Sequence, residues 1–251
     1  MNATNGGTGH RNETLVKICG VRTPEQALHA AASGADLIGL VFYEPSPRYV
    51  TPDRAAAVTR ALRDAGSPVI PVGLFVNVPP ATINALAAEL GLGMVQLSGD
   101  EPDGAIAEIE LPVLRAIRVS ASEGAARTRE RMAAAQLAAA GRAPGSLGHG
   151  LVFLLDAHVP GIYGGTGARA DWTLAAALAA EFPVLLAGGL TPDNVAEAAR
   201  TVRPLGVDVS SGVETDRVKD PDKVRRFIRA ARDEAESWRP PSPLEAATTL
   251  P

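Results

Sequence analysis

The chain has a single cysteine, Cys19, which ends the short apolar run "LVKIC" at residues 15–19. A cysteine thiolate can remove a proton from carbon, although a free thiol titrates near about 8.5 and needs surroundings that favour the thiolate. A second apolar run, "LVFLL" at residues 151–155, leads directly into Asp156. A carboxyl group can act as a general acid where apolar neighbours keep it protonated. The two groups together suit a reaction that gives one proton to a small substrate and removes another.

Each residue also has a simpler interpretation. A lone cysteine is often a small buried hydrophobic residue, and an aspartate at the end of a strand can cap the following loop. Lys17 lies two residues before Cys19, so in a strand both side chains point to the same face. That placement favours a chemical role for the thiol.

Three glycine-rich turns, "YGGTG", "AGGL" and "SSGV", follow the sixth, seventh and eighth apolar runs. Glycine lets backbone N–H groups approach a ligand closely, and neighbouring helix N-termini favour anions. The alternative is that the glycines only turn the chain. Because the turns are adjacent on one rim, we predict a phosphate site formed by Gly165, Thr166, Gly167, Gly188, Gly189, Ser210, Ser211 and Gly212.

Arg48 lies in "PSPRY", where two prolines stiffen the loop after the second apolar run. Its planar guanidinium matches a carboxylate, and a solvated surface arginine is the alternative. Gln96 and Ser98 close the fourth run, and Arg118 follows the fifth. The four histidines lack metal-ligand spacing and neither HExxH nor CxxC occurs, so we expect no metal.

The elements that would position these residues are eight apolar runs alternating with alanine-rich stretches. The runs are continuous rather than alternating, which is typical of parallel strands covered on both faces. Eight strand–helix pairs predict a (β/α)8 barrel, with a doubly wound open sheet as the alternative. In such a barrel the active site lies at the carboxyl ends of the strands. The runs cover residues 15–19, 36–42, 69–75, 93–97, 112–117, 151–155, 183–187 and 205–210.

Helix starts are expected after each strand. A threonine followed by proline is typical of an N-cap and first helical position. Other starts are marked by proline, serine or aspartate. The predicted starts are Thr23-Pro24, Thr51-Pro52, Val78-Pro79-Pro80, Glu101-Pro102, Ser120 to Ser122, Asp171-Trp172, Thr191-Pro192 and Asp220-Pro221.

Composition narrows the class of protein. The 251 residues are 46% apolar and 21% charged, an ordinary globular balance. The net charge of −4, with interspersed charges, argues against a nucleic-acid partner or an anionic membrane surface. No run of eighteen apolar residues occurs, so we expect no membrane span. One cysteine excludes an internal disulfide and fits a reducing cytoplasm.

The two ends of the chain differ from its middle. Residues 1–13 are polar and predict a disordered leader rather than a secretory signal, and residues 237–251 predict a disordered Pro-rich tail. Residues 14–236 are expected to form the single catalytic barrel. Within it, the segment 121–148 predicts a long fifth helix and a loop that crosses the bottom face.

Motifs at the strand ends carry a resemblance to a known family. "KICG", "GLVFYEPSPRYV", "VGLFVN", "VQLSGDE", "LLDAHVPGIYGGTGARADW", "LLAGGLTPDNV" and "GVDVSSGVE" occur in order over roughly residues 15–230. Together they resemble the phosphoribosylanthranilate isomerases of tryptophan biosynthesis. The resemblance implies a (β/α)8 barrel that converts N-(5-phospho-β-D-ribosyl)anthranilate to 1-(2-carboxyphenylamino)-1-deoxy-D-ribulose 5-phosphate by an Amadori rearrangement.

The resemblance also implies roles for individual residues. Cys19 would be the general base, Asp156 the general acid, and Arg48 the partner of the anthranilate carboxylate. The glycine-rich turns would hold the phosphate, Gln96 would contact the substrate, and Asp208 would contact the substrate or orient the site. The reaction needs no redox or metal cofactor. The expected partner is this small molecule alone, bound by a monomer, with a homodimer as the alternative.

One departure from the family pattern is Ser98, which replaces the histidine of the usual "VQLHG". A hydroxyl can hydrogen-bond but cannot carry a charge. We therefore expect Ser98 to affect the details of substrate binding or orientation rather than proton transfer. Two other functions remain as alternatives. A related phosphosugar isomerase of histidine biosynthesis would favour an acid where Cys19 stands and would have a second phosphate site. A non-catalytic phosphosugar-binding barrel is disfavoured by the Cys19–Asp156 pair.

Overall fold

A computed structural model describes residues 14–118, 124–140, 150–156 and 172–233. Eight parallel strands form a closed barrel in sequence order, and β1 pairs with both β2 and β8. The predicted barrel is confirmed, and the open-sheet alternative is wrong because the first and last strands are hydrogen-bonded. The strands are β1 (Leu15–Cys19), β2 (Leu37–Val41), β3 (Ile70–Phe75), β4 (Met94–Leu97), β5 (Val113–Arg118), β6 (Leu151–Asp156), β7 (Val184–Ala187) and β8 (Gly206–Val209).

Helices follow the strands, and two of the predicted threonine caps are present. Thr23 Oγ1 accepts a hydrogen bond from Gln26 N, and Thr51 Oγ1 accepts one from Arg54 N. Such caps satisfy backbone N–H groups that a helix start leaves without partners. The helices are α1 (Pro24–Ala32), α2 (Pro52–Asp64), α3 (Pro80–Leu90), α4 (Gly104–Glu108), α5 (Gly124–Ala139), α6 (Trp172–Ala179), α7 (Val195–Val202) and α8 (Pro221–Asp233).

The apolar residues of the strands form two separate layers because alternate side chains point to opposite faces. Outward residues such as Ile18, Val95 and Phe153 pack beneath the helices in the larger core. A smaller cluster that includes Leu37, Val72, Leu114 and Leu185 fills the inside of the barrel. Near the carboxyl ends of the strands, the inward-facing side chains change from apolar to polar. These polar side chains face the mouth of the barrel.

Two predicted helix starts are wrong. Helix α7 begins at Val195 rather than after Thr191, because Asn194 closes the preceding turn by accepting from Thr191 N and donating to Gly189 O. Helix α4 begins at Gly104 rather than after Glu101, because the Glu101 carboxylate is occupied elsewhere in the loop. In both places a side chain that binds the loop backbone delays the helix.

A short hairpin after β8 was not predicted. Strands β9 (Glu214–Thr215) and β10 (Val218–Lys219) pair antiparallel across Asp216 and Arg217, whose φ angles are 50° and 63°. Two positive φ values are the geometry of a tight hairpin turn. The hairpin places the Glu214 and Lys219 side chains side by side at the mouth of the barrel.

Several expectations concern residues outside the described ones. The leader at 1–13 and the tail at 237–251 lie there, as do the helix starts at Ser120 to Ser122 and Asp171. Of the segment 121–148, only α5 falls among the described residues, and it supplies the predicted fifth helix. The Gly165, Thr166 and Gly167 positions of the phosphate site are also outside the described part of the chain.

Candidate active site

Cys19 and Asp156 both stand at the carboxyl ends of their strands and on the inward face of the barrel. Cys19 is 5% exposed and lies opposite Gly39 in the register of β1 and β2. Asp156 is half-buried and follows five buried residues of β6, whose side chains alternate between the inner and outer faces. Strands β1 and β6 are three steps apart around the ring of eight, one step short of directly opposite. The two groups therefore face the same space from nearly opposite sides of the barrel.

Directly below Cys19, Lys17 and Asp208 form a buried ion pair across β1 and β8. Lys17 Nζ donates to Asp208 Oδ1 at 2.7 Å, and the lysine side chain is 0% exposed. Burial by itself would lower the pKa of Lys17, but the charges and hydrogen bonds of Asp208 and Cys19 outweigh it and hold that pKa above its ordinary value. Asp208 thus holds Lys17 in place. Of the two roles that the resemblance implies for Asp208, substrate contact or orientation of the site, this contact is of the orienting kind.

Arg48 reaches the same mouth from the loop between β2 and α2. Its Nε and Nη2 donate to the two carboxylate oxygens of Glu214 at 2.8 and 2.7 Å. Lys219 Nζ also donates to Glu214, at 2.6 Å. Burial alone would raise the pKa of Glu214, but its hydrogen bonds to Arg48 and Lys219 outweigh burial and hold the pKa at about 2. One edge of the Arg48 fork is therefore fixed, and the Nη1 edge is turned away from Glu214.

Gly20 makes room for this arginine. Its φ of 77° is in the left-handed region, and a Cβ atom there would collide with the Arg48 side chain. Arg48 is therefore held on two sides, by Glu214 at its head and by Gly20 along its stem. A guanidinium held in this way is preorganised for a planar anion.

Gln96 lies on the inner face of β4 and is 4% exposed. Its Nε2 donates to Ser98 Oγ at 2.9 Å, whereas its Oε1 has no hydrogen-bond partner among the described residues. Arg118 Nη2 donates to Ser98 O at 3.1 Å, and Arg118 pairs with Asp156 in the register of β5 and β6. The Gln96 amide oxygen is thus an acceptor inside the barrel that a substrate hydroxyl can satisfy.

The turns after β7 and β8 lie against each other. Gly188 and Gly189 have φ angles of 89° and 66°, and nothing lies within 4 Å of the place where a Gly189 Cβ would stand. Gly212 has the opposite surroundings, because a Cβ there would collide with the carbonyl oxygen of Leu190. Ser210 and Ser211 complete the second turn, and Ser210 Oγ donates to Cys19 O at 3.1 Å. The structure therefore brings the two described turns together at one side of the mouth.

Sequence reasoning missed the ion pairs that surround Cys19. Lys17 was noted only for its direction, and neither Glu214 nor Lys219 was singled out. A signal existed for Lys17, because a lysine inside a continuous apolar strand needs a buried counter-ion. No local signal marked Glu214, which acts through a hairpin of two-residue strands.

The described residues also bear on metal binding and on membrane insertion. In those ranges no group of three or more histidine, cysteine, aspartate or glutamate side chains is placed to hold a metal ion. Among the same residues, the structure has no helix that is long and apolar enough to span a membrane.

A closed barrel with ionisable side chains gathered at the carboxyl ends of its strands is the arrangement of a (β/α)8-barrel enzyme. Comparison with known proteins identifies the family of barrel enzymes to which the chain belongs. The family model of N-(5'-phosphoribosyl)anthranilate (PRA) isomerase matches residues 16–230, and the chain belongs to this family.

Curated relatives agree with the family model. The N-(5'-phosphoribosyl)anthranilate isomerase of Roseiflexus sp. (strain RS-1) is 48% identical over 226 residues, covering 88% of this chain and 99% of the relative. That of Geobacter sulfurreducens is 45% identical over 220 residues, covering 86% and 98%. Both relatives are therefore matched over almost their whole length.

Solved structures give the same result. A phosphoribosyl anthranilate isomerase from Thermotoga maritima superposes with a TM-score of 0.72 at 36% identity, covering 90% of this chain and all of that one. Another isomerase structure, in complex with reduced 1-(o-carboxyphenylamino)-1-deoxyribulose 5-phosphate, gives 0.70 at 35% identity, covering 87% and 98%. The resemblance stated from the sequence motifs is confirmed.

Proposed function

We propose that this chain catalyses the Amadori rearrangement of N-(5-phospho-β-D-ribosyl)anthranilate to 1-(2-carboxyphenylamino)-1-deoxy-D-ribulose 5-phosphate, a step of tryptophan biosynthesis. The observation that carries the proposal is the placement of Cys19 and Asp156 on the inward face of β1 and β6, nearly opposite each other at the mouth. Family membership supports the same reaction. The histidine-pathway alternative is disfavoured because a thiol, rather than an acid, ends the first strand.

The proposed mechanism uses one proton donor and one proton acceptor. Asp156 gives its proton to the ribose ring oxygen, and the C1–O bond breaks to leave a protonated Schiff base. The Cys19 thiolate then takes the proton from C2, giving an enolamine. Protonation of C1 and loss of the C2 hydroxyl proton complete the ketone. No electrons are exchanged with a second molecule, so the residues of the site suffice without a cofactor.

Substrate binding is proposed to use both ends of the molecule. The Nη1 edge of Arg48 would hold the anthranilate carboxylate, since Glu214 already occupies the other edge. The turns of Gly188, Gly189 and Ser210 to Gly212 would hold the phosphate, together with Gly165, Thr166 and Gly167. Barrels of this class commonly bind phosphate after strands seven and eight. Gln96 Oε1 would accept a hydrogen bond from a ribose hydroxyl.

A fluorescence assay that follows loss of phosphoribosylanthranilate tests the proposal. Cys19→Ser and Asp156→Asn should each lower kcat by at least about 10²-fold, since positioned acid–base groups supply about 10²–10⁴. Because binding depends on other residues, the loss should appear in kcat more than in KM. Both variants should still bind a non-reacting product analogue, which controls for folding. Near-native kcat in Cys19→Ser would assign proton abstraction to another residue.

A monomer in a reducing cytoplasm is the proposed setting. Large exposed hydrophobic side chains among the described residues are scattered over separate elements rather than gathered into one face. A Thermotoga maritima relative is described as dimeric, and monomers of it have also been crystallised. The thiol role of Cys19 requires that it stay reduced. Sedimentation of the purified chain would distinguish monomer from dimer. The exposed side chains are Leu28, Tyr43, Leu137 and Val218.

A further inference from the structure

The Cys19 sulfur and the Lys17 ammonium border the same small space. A Cβ atom at Gly39 would lie 2.7 Å from Cys19 Sγ and 3.1 Å from Lys17 Nζ. The two side chains are two residues apart on β1, so both point into the barrel. Gly39 leaves the space between them open, and the ammonium can reach the sulfur directly.

Two more cations act on the same sulfur from other elements. Arg48, in the loop after β2, and Lys219, on β10, both interact electrostatically with Cys19. Their shared counter-ion is Glu214 on β9, to which each is hydrogen-bonded. Lys219 Nζ also donates to Ser210 O at 3.0 Å, which holds the ammonium beside β1.

The charges around Cys19 do not balance among themselves. Among the residues that the structure describes, three cations act on Cys19, and Glu214 and Asp208 are the two carboxylates bound to them. One positive charge is left in excess, and a thiolate on Cys19 would neutralise it. The carboxylate of Asp156 is on β6, three strands away around the ring.

We propose that Lys17 is a positioning residue whose ammonium stabilises the thiolate of Cys19, with Asp208 holding the ammonium in place. Lys17 is the cation that shares the space beside Gly39 with the sulfur, and its side chain is 0% exposed, against 4% for Lys219 and 24% for Arg48. Water screens a buried charge least. Lys17 keeps its own proton throughout, since Asp208 and the thiolate both favour the charged form. The inference rests on the proposed function, in which the thiolate is the base.

The chain's single cysteine makes the thiolate directly measurable. Its ultraviolet absorbance in the free enzyme, with Cys19→Ser as the blank, reports Cys19 alone. In Lys17→Met the thiolate fraction at neutral pH should fall by at least about threefold, because a buried cation beside the sulfur is lost. The acid-side limb of the pH profile of kcat/KM should move to higher pH, by an amount that corresponds to the fall in the thiolate fraction.

Asp208→Asn is the matched control, because the asparagine amide oxygen can still accept the hydrogen bond that holds Lys17, whereas the competing negative charge is removed. It leaves Lys17 with the thiolate as its remaining anionic partner, so the thiolate fraction should rise rather than fall. A purely structural role for the pair would move both variants in the same direction. Circular dichroism establishes whether each variant is folded. If one variant does not fold, the thiolate fraction of the other variant is enough to test the proposal.

Opposite shifts of the thiolate fraction in the two variants support the proposal. An unchanged fraction in Lys17→Met, or a lowered one in Asp208→Asn, overturns it. These readings are independent of turnover, so they stand apart from a failure of the proposed function. Failure of the proposed function would appear as no loss of phosphoribosylanthranilate with the unaltered chain, and failure of Cys19 as its base would appear as full activity in Cys19→Ser.

Discussion

Ser98 is the residue at which this chain departs from the family pattern, and the structure gives it a modest task. Its hydroxyl accepts from Gln96 Nε2, which orients a buried amide. Ser98→His should change kcat/KM by less than about tenfold, or about 1.4 kcal/mol, because neither proton-transfer group is touched. The fluorescence assay measures this change. A gain of several orders of magnitude would indicate that the natural chain acts on another substrate.

Arg48 is expected to act in binding rather than in proton transfer. Arg48→Ala should mainly raise KM, since loss of a charge-assisted hydrogen bond costs roughly 1.5–3 kcal/mol. Steady-state kinetics over a range of substrate concentrations separates KM from kcat. Arg129→Ala is the control, because Arg129 on α5 forms an exposed ion pair with Glu181 in the turn after α6, outside the barrel. An unchanged KM in Arg48→Ala would remove this residue from the site.

At the scale of elements, the β9–β10 hairpin clamps the loop after β2 through Glu214. Its folded pKa of about 2 lies below the ordinary value of about 4.3 for a free glutamate. The ionised carboxylate therefore stabilises the fold above about pH 4.5, and this stability is lost as the pH falls toward about 2. The same carboxylate holds two cations at the mouth, so the clamp serves both stability and the site.

Glu214→Gln tests this clamp. Near pH 7 the variant should be less stable than the natural chain by at most about 3 kcal/mol, the free-energy equivalent of the lowered pKa before solvent screening reduces it. Urea unfolding at a series of pH values should show the difference shrinking below about pH 4.5. In Glu181→Gln the trend should have the same sign but be much smaller, because Arg129 lowers the pKa of Glu181 in a pair that is exposed to solvent and screened. A difference that stays constant with pH would mean that Glu214 acts by packing alone.

Across the whole molecule, the last helix of the barrel is α8, which packs against the outside of the barrel through its buried residues Val224, Phe227 and Ile228. The family match ends at residue 230, and the Pro-rich end lies beyond it. Deletion of residues 240–251 should therefore leave activity intact and shift the melting temperature by only a few degrees. Deletion from residue 224 onward should prevent folding, which serves as the control. A large fall in melting temperature for the shorter deletion would contradict this prediction.

The strands, their order and the residues at their ends could all be predicted from the amino-acid sequence. Continuous apolar runs are typical of strands buried on both faces, so the eight runs match β1 to β8 to within about one residue at most ends. Because parallel strands in a barrel share one carboxyl edge, Cys19 and Asp156 were expected at a common mouth. These features depend on local pattern and on one topological rule.

The charged side chains that meet around Cys19 could not be predicted, because their pairing depends on the closed fold. Lys17 and Asp208 are 191 residues apart in the chain, and Arg48 and Glu214 are 166 apart. No local pattern pairs such residues, because they come together only when β8 closes against β1 and the hairpin folds over the mouth. Buried charges must find partners within the folded chain, and the closure of the ring determines which partners are in reach.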